Sequence, residues 1–302
     1  MAGRLSGRVA IVTGGGRGLG RAHALALAAE GAGVVVNDLG ADLHGVGSDQ
    51  TPAQAVAEEI RKLGGTASVS GHDVADWEQA AALVRYAVAA FGGLDILVNN
   101  AGILRDRTLA NMSEEEWDGV VRVHLKGHAA PTRHAMAWWR EQSKTGKGVR
   151  ASVIHTTSLA GLVGNFGQAN YAAAKLGIVG LSRVVALEGA KYGVRSNAVS
   201  PSARTRIETS LKPPPAGVFD VFDPANVSPL VAWLALPDCP ATGQVFQAYG
   251  NRIEVVTHSA IAVDVHTEGR WTLEAIDRAL AGRLPPPPKL GDFVAGLQGG
   301  ER

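Results

Sequence analysis

Three residues of the chain have types and a spacing that could move a proton to or from an alcohol oxygen. They are Ser158, Tyr171 and Lys175, the last two written Tyr-Ala-Ala-Ala-Lys. A phenol with an ordinary pKa of about 10 is a poor acid or base at pH 7, but a lysine ammonium one helical turn away favours the phenolate. Ser158 could then hold the substrate oxygen while Tyr171 exchanges the proton.

The elements that must position these residues alternate between strands and helices. Short apolar or β-branched runs predict seven strands, at residues 8–13, 33–38, 66–71, 94–99, 149–156, 194–199 and 243–249. Helical stretches are predicted between them, at residues 21–30, 53–63, 76–91, 114–140 and 168–192. This alternation predicts an α/β fold, a doubly wound, seven-stranded and mostly parallel Rossmann-type sheet with helices on both faces.

The organisation along the chain predicts one domain with an appendage. Residues 1–250 show no internal boundary, and residues 251–302 are expected to be a C-terminal extension packed on that domain, with a strand-like start and a helix at 272–281. Residues 39–51 are long and rich in Gly and Asp for a strand-to-helix connection, so they predict a surface insertion. The three prolines within residues 212–215 predict a mobile loop.

Composition narrows the functional classes. The 302 residues are 46% hydrophobic, which suffices for a sizeable core, and 29 basic residues against 28 acidic ones give no reason to expect nucleic acid or an anionic membrane as partner. The single cysteine, Cys239, excludes an internal disulfide framework and a thiolate metal cluster. No apolar run reaches membrane-spanning length and the first eight residues lack a signal-peptide core, so a cytoplasmic protein is expected.

A glycine-rich turn at residues 13–20, Thr-Gly-Gly-Gly-Arg-Gly-Leu-Gly, stands between the first predicted strand and helix. Glycines let the backbone approach a pyrophosphate, and a helix N-terminus offers N–H donors to it. Such turns are common, but this context is the right one for a dinucleotide. The predicted cofactor contacts of this loop are Gly14, Arg17, Gly18, Leu19 and Gly20.

Asp38 closes the second predicted strand, where a carboxylate would accept hydrogen bonds from the adenosine ribose hydroxyls. The same charge would repel a 2′-phosphate, which favours NAD over NADP. Arg17 points the other way, because an arginine in the loop could hold that phosphate. A plain turn residue is the alternative interpretation of Asp38.

With these motifs the chain resembles the short-chain dehydrogenase/reductase family over roughly residues 5–250. The matching positions are Thr13, Gly14, Gly18 and Gly20, then Asp73 with Val74, then Asn99, Asn100, Ala101 and Gly102, and finally Ser158, Tyr171 and Lys175. The resemblance implies that Asp73 and Val74 contact the adenine and that residues 99–102 support the sheet and line the cofactor. It also implies that Lys175 binds the nicotinamide ribose and that Pro201 lies beside the nicotinamide, although Ser202 follows it where many relatives have glycine.

Residues 36–40, 99–107 and 164–175 are similar to one branch of the family, the (3R)-hydroxyacyl-CoA dehydrogenase domains of peroxisomal multifunctional enzymes. This implies NAD-linked oxidation of a 3-hydroxyacyl-CoA or a steroid-type alcohol to a ketone. Asn165, Phe166 and Gln168 are expected to border the substrate, with core or turn packing as the alternative, and residues 204–206 are a weak candidate for a CoA-phosphate or substrate clamp. Because the family often forms tetramers through its two long helices, a homo-oligomer, dimer or tetramer, is expected.

His124 departs from the family pattern, in which an asparagine usually helps to hold a water near the lysine. Histidine can also donate and accept hydrogen bonds, so His124 is a candidate for the proton path, and a packing role is equally compatible with the sequence. His124 and His128 have the spacing of a metal-binding pair, but no third ligand is evident and no metal is predicted.

Three functions remain open from the sequence. The first is an NAD-dependent dehydrogenase of hydroxyacyl-CoA or steroid-type alcohols. The second is a 3-oxoacyl reductase that uses NADPH, against which Asp38 argues. The third is a non-catalytic cofactor-binding protein, against which the complete set of Ser158, Tyr171 and Lys175 argues.

Overall fold

An eight-stranded sheet runs through the computed structural model, which describes residues 3–42, 44–45, 47–146, 148–206, 212–215, 217–257, 262–266 and 270–286. The strands are β1 (Val9–Thr13), β2 (Gly33–Asn37), β3 (Thr66–Ser70), β4 (Ile96–Asn99), β5 (Ala151–Thr156), β6 (Val194–Pro201), β7 (Val245–Tyr249) and β8 (Arg252–Val256). The α-helices are α1 (Gly18–Ala29), α2 (Thr51–Lys62), α3 (Trp77–Phe91), α4 (Glu114–Val121), α5 (Gly127–Lys144), α6 (Leu159–Val163), α7 (Ala169–Gly189), α8 (Ser228–Ala235) and α9 (Leu273–Leu280).

The strand order is β3-β2-β1-β4-β5-β6-β7-β8, and only the last pairing is antiparallel. The predicted doubly wound fold is therefore confirmed, with eight strands instead of seven. The extra strand forms because Gly250, with a φ of 49°, and Asn251 make a two-residue turn that folds the chain back beside β7. The order reverses between β1 and β4, and their carboxyl ends define the crevice where ligands bind in such sheets.

Two apolar layers cover the sheet, as expected for parallel strands buried on both faces. One layer packs α1, α2 and α8 against the sheet, with Leu27, Ile60 and Leu234 fully buried. The other lies under α3, α5 and α7, where Trp139 is buried and donates its indole N–H to Leu94 O at 2.7 Å. These layers fix the strand ends from which the site is built.

The predicted helix at 114–140 is divided by a π-helical turn, Arg122–Lys126, between α4 and α5. Such turns insert an extra residue into a helix and often occur at functional sites. The predicted helix at 168–192 corresponds to α7 followed by a 3₁₀ turn, Ala190–Tyr192. Two helices, α6 and α8, are absent from the sequence prediction.

The structure divides into two compact units, Met1–Val256 and Thr257–Arg302. In the first unit the insertion is tied down by Arg105, whose Nη2 donates to His44 O at 2.8 Å, and by Arg206, whose Nη1 donates to Ala41 O at 3.0 Å. In the second, α9 begins after Thr272, which caps it. The predicted packing of residues 251–302 on the main domain stays a prediction, and residues 258–261, 267–269 and 287–302 lie outside the described residues.

Within the described part of the chain, no helix combines the length and the apolar character needed to cross a bilayer.

Candidate active site

The glycine loop lies at the carboxyl end of β1, pressed against the segment that follows β4. Gly14 has a φ of 62°, and a Cβ there would stand 2.9 Å from Ala101 Cα, so only glycine fits. A Cβ on Gly20 would overlap the carbonyl of Gly14. These glycines therefore let the loop pack closely against the segment after β4 and against the start of α1.

The N-terminus of α1 is available to an anion. The helix begins at Gly18, and its N-cap, Arg17, makes no side-chain capping bond in the described structure. The first N–H groups of α1 therefore lack the side-chain acceptor that usually satisfies one of them. Arg17 itself is exposed, and Leu19 packs on the core behind the loop. This geometry fits the pyrophosphate of a nicotinamide dinucleotide.

Thr13 fastens the glycine loop to the segment after β4. Its Oγ1 accepts from the backbone N–H of Asn100 at 2.9 Å and of Ala101 at 3.1 Å. Asn100 returns the contact, since its Nδ2 donates to Thr13 O at 3.0 Å. Asn99 is buried and donates to Thr132 Oγ1 at 2.9 Å, so it ties β4 to α5, whereas Asn100 borders the crevice.

Asp38 stands against the glycine loop, directly after β2. One carboxylate oxygen accepts from Gly16 N at 2.9 Å and the other from Gly40 N at 2.8 Å, which leaves lone pairs for further donors. Asp73 instead forms the turn into α3, where it accepts from Ala75 N at 2.8 Å and pairs with Arg122 Nη2 at 2.6 Å. The role of Asp73 and Val74 in adenine binding stays a prediction.

Ser158 follows β5 closely in the chain, and Lys175 is bonded to the carboxyl end of the same strand. Ser158 is the N-cap of α6, and its Oγ accepts from Ala160 N at 3.2 Å. Tyr171 and Lys175 share one face of α7, with Lys175 Nζ 5.5 Å from the centre of the phenol ring. An ammonium at this distance stabilises a phenolate, which is the arrangement that the sequence spacing predicts.

Lys175 is 2% exposed, and its Nζ donates to Thr156 O at 2.6 Å. Burial lowers the pKa of this ammonium to about 7, because the charged form loses its hydration. The close approach of α6 accounts for this burial, since a Cβ on Gly161 would stand 2.7 Å from Lys175 Cβ. A lysine with a pKa near the working pH can release and recover a proton.

The π-helical turn points His124 at the site. Its Nε2 lies 2.7 Å from Ile103 O, and its ring meets the Tyr171 ring edge-on, at 5.1 Å between centres. Burial, with the nearby Lys175 charge, lowers the pKa of His124 to about 3, so the imidazole is neutral. Gly102 is required beside it, because a side chain there would collide with the imidazole.

Two buried histidines lie behind Lys175, of which sequence reasoning missed His155 and considered His128 only as a metal-spaced partner of His124. His155 in β5 and His128 in α5 are fully buried, their rings stack at 5.5 Å, and their Nδ1 atoms are 3.3 Å apart. Burial lowers the pKa of His155 to about 3. Asn170, also missed, bonds the backbone of Tyr171. Among the described residues no set of three or more His, Cys, Asp or Glu side chains could hold a metal ion.

The remaining predicted site residues lie at the end of β6 and just before α7. Pro201 ends β6 beside Ala248, and Ser202 Oγ accepts from Gln247 Nε2 at 2.9 Å. Of the residues expected to border the substrate, Phe166 is 89% exposed and Gln168 is bonded to Asp106.

The candidate clamp at residues 204–206 is engaged within the protein. Arg204 pairs with Asp220, so its charge is already compensated, and Arg206 bonds the insertion. Neither arginine is thus a ready-made phosphate site.

Comparison with known proteins agrees with this geometry. The family model described as short chain dehydrogenase matches residues 8–213. A crystal structure of a short chain dehydrogenase from Mycobacterium avium is 51% identical and covers 94% of this chain and 98% of its own, with a TM-score of 0.86. The peroxisomal multifunctional enzyme type 2 of mouse is 45% identical over 81% of this chain, which spans only 32% of that enzyme.

Two further relatives match most of their own length. The hydroxyacyl-CoA dehydrogenase ChsB1 of Mycobacterium tuberculosis is 45% identical over 84% of this chain and 80% of its own. The 3-oxoacyl-[acyl-carrier-protein] reductase of Synechocystis is 38% identical over 82% and 98%, respectively. The family model thus matches more than half of the chain. The sheet also has the strand order whose crevice binds a nicotinamide cofactor in this fold. The chain belongs to the short-chain dehydrogenase/reductase family of oxidoreductases, which act with a nicotinamide cofactor.

Proposed function

We propose that the protein is an NAD-dependent dehydrogenase that oxidises the hydroxyl of a 3-hydroxyacyl-CoA to a ketone. The observation that carries the cofactor choice is Asp38, whose carboxylate lies against Gly16 N where the adenosine ribose would bind. The substrate class rests on the likeness to a hydroxyacyl-CoA dehydrogenase over most of both chains. A steroid-type alcohol is the second substrate class, because the same resemblance from the sequence implies it.

The chemistry divides between the bound nicotinamide, which supplies a hydride acceptor, and the residues of this chain. Ser158 Oγ holds the alcohol oxygen by a hydrogen bond. Tyr171, as phenolate, removes the hydroxyl proton, and the ammonium of Lys175 favours that phenolate. With a pKa of about 7, Lys175 can also pass a proton on, while neutral His124 packs behind the phenol. In the reverse direction Tyr171 returns the proton to the ketone.

The cofactor choice is tested by measuring the dissociation constants of NAD and NADP for the wild type and for Asp38→Ser. Removing the carboxylate should lower the ratio of the NADP dissociation constant to the NAD dissociation constant by about tenfold or more, which corresponds to about 1.4 kcal/mol. A wild type that binds NADP more tightly than NAD would overturn the proposal. Activity is then followed as NADH formation with a panel of 3-hydroxyacyl-CoAs, steroids and simple alcohols.

The competing reductase function is distinguished from the dehydrogenase by measuring the reverse reaction, the reduction of 3-oxoacyl substrates. If 3-oxoacyl substrates with NADPH are turned over with a higher kcat/KM than 3-hydroxyacyl-CoAs with NAD, the reductase is the better description. A wild type that binds NAD and turns over none of these compounds would support the non-catalytic alternative.

We further propose that the chain forms a homo-oligomer through α7. Leu176, Val184 and Leu187 are exposed on this helix, at positions that lie close to one face. Light scattering of the wild type and of Leu187→Glu tests this, because a charge in the interface should dissociate the oligomer. An unchanged mass for the variant, or a monomeric wild type, contradicts it.

A further inference from the structure

The first turn of α7, which carries Tyr171, is held by a buried amide that neither the family motif nor the proposed chemistry uses. Asn170 is fully buried, and its Oδ1 accepts from Tyr171 N at 2.7 Å. Its Nδ2 donates to Arg105 O at 3.0 Å and to Glu116 O at 2.9 Å. Both N–H bonds of the amide and its oxygen are therefore engaged.

This arrangement replaces an ordinary helix cap. Tyr171 is the third residue of α7, so its N–H has no acceptor within the helix. The residue before a helix usually supplies that acceptor, but Gln168, the N-cap of α7, makes no capping bond in the described structure. Asn170 supplies it from inside the helix, and at the same time fixes the helix to two other segments.

Those two segments are themselves tied together by Arg105. Its Nη1 donates to Glu115 O at 2.9 Å, next to the carbonyl that Asn170 uses, and its Nη2 reaches His44 O in the insertion. Arg107 adds a backbone bond to Gly167 O at 2.8 Å, just before α7. The start of α7 is thus held by a network of hydrogen bonds to the segment after β4 and to α4, and Asn170 makes bonds to both.

A second attachment lies one helical turn further along α7. Thr157 Oγ1 donates to Lys175 O at 2.7 Å, which holds the lysine end of the pair to the end of β5. At the Tyr171 end of the pair, Asn170 makes the corresponding attachment through its bonds to Arg105 O and Glu116 O. Misplacing a reacting group by about 1 Å can cost about 100-fold in rate.

We propose that Asn170 is a positioning residue, which sets the phenol of Tyr171 relative to Ser158 and Lys175 for proton transfer. The inference rests on the proposed function in so far as Tyr171 exchanges the proton. It predicts that loss of the amide slows the hydrogen-transfer step and leaves cofactor and substrate binding in place.

The experiment compares Asn170→Ala and Asn170→Asp with Asn111→Ala, an exposed asparagine that bonds only Thr108. Both Asn170 variants should lower kcat about 10- to 100-fold and change KM and the NAD dissociation constant by less than about threefold. Asp keeps the acceptor but opposes two carbonyl oxygens, so it should be no better than Ala. The Asn111 variant should match the wild type.

The primary deuterium isotope effect on kcat distinguishes positioning from partial unfolding. A misplaced phenol makes hydrogen transfer more rate-limiting, so the isotope effect should rise. A loss of folded enzyme would lower kcat and leave the isotope effect unchanged, and that result would overturn the proposal, as would a wild-type kcat.

Amide hydrogen exchange of the peptide that contains Tyr171 supplies a readout without turnover. Exchange should accelerate in Asn170→Ala because the N–H loses its acceptor, and unchanged exchange contradicts the proposal. If the wild type oxidises another alcohol but no 3-hydroxyacyl-CoA, the substrate class fails and the isotope effect with that alcohol decides on Asn170. If it oxidises none, the proposed function fails, and the exchange result alone decides.

Discussion

The two ends of the crevice differ in whether backbone or side-chain atoms form them. At the cofactor end the surface is mainly backbone, because Gly14 and Gly18 adopt positive φ and the first turn of α1 presents its N–H groups. At the proton-transfer end, two buried side chains, Lys175 and His124, contact the ring of the partly buried Tyr171. At the first end, an added side chain would collide with neighbouring atoms. At the second end, a removed side chain would leave Tyr171 without a contact that positions it.

The difference predicts which step, cofactor binding or proton transfer, a substitution at each end should impair. A substitution in the glycine loop acts by steric exclusion, so it should weaken cofactor binding and spare the chemical step at saturation. A substitution around Tyr171 acts on proton transfer, so it should spare binding. The four predictions below test that separation.

The largest effect is expected for Tyr171→Phe. Removing the phenol hydroxyl should lower kcat by about 10³-fold or more, because no other described group replaces the acid-base function, while NAD binding survives. Steady-state kinetics and NAD titration measure the two quantities. Tyr192→Phe is the matched control, since Tyr192 also lies near a lysine, Lys191, but outside the crevice. Substantial residual turnover in Tyr171→Phe would contradict its role.

A smaller effect is expected at the cofactor end for Gly18→Ala. The φ of 51° strains any side chain, and the new Cβ would stand 3.3 Å from Thr205 Cγ2. The affinity for NAD should fall about tenfold, with kcat at saturating NAD changed less than about threefold. Gly64→Ala, with a φ of 85° and open space around it, controls for backbone strain alone. A large loss of kcat at saturation would break the separation between the two ends.

The proton-transfer end should also make the fold acid-sensitive. The pKa of His124 and that of His155 are lowered to about 3, so the folded state holds them neutral, whereas the unfolded chain protonates them near pH 6.5. Their contribution to stability is complete above pH 6.5 and is lost as pH falls toward 3, by about 1.4 kcal/mol per histidine and pH unit. Urea unfolding of the wild type between pH 4.5 and 7 should show this slope.

His155→Gln should reduce that slope by about one proton, while His44→Gln, at an exposed histidine, should not change it. An unchanged slope for His155→Gln would mean that this histidine is not held neutral in the fold.

The smallest effect is expected for the ion pair between Arg122, in the π-helical turn that carries His124, and Asp73, the predicted adenine contact. Their side chains are 2.6 Å apart, but the arginine is half exposed. Arg122→Ala should therefore cost about 1 kcal/mol or less and leave kcat within about twofold. Calorimetry and kinetics measure both. A tenfold loss of kcat would show that the two ends are coupled through this ion pair.

The sheet, the position of the glycine loop between β1 and α1, and the shared helix face of Tyr171 and Lys175 could be predicted from the sequence, because each depends on local pattern. The spacing of apolar residues along the chain predicts the strands, and the run of glycines predicts the loop. The four-residue spacing brings Tyr171 and Lys175 together within one helical turn. The roles proposed for these residues still await the experiments above.

Other parts of the site depend on contacts between distant segments. The pairing of His128 with His155 joins α5 to β5, and the bonds of Asn170 reach residues far away in the sequence, so no local pattern reveals them. The sequence predicts β8 only as a strand-like stretch, because its pairing and register depend on the turn and on β7.

The π-helical turn has a consequence for insertions and deletions. A regular α-helix advances by about 100° per residue, so one residue deleted from its regular part rotates everything after it by that angle. A π-helical turn already contains one residue more than a regular helix needs, so deleting one residue within Arg122–Lys126 would restore an α-helix and leave His128 and Trp139 on the buried face of α5. A single-residue gap in an alignment of related chains should therefore preserve the packing of α5 when it falls in this turn, and disrupt it when it falls later in the helix.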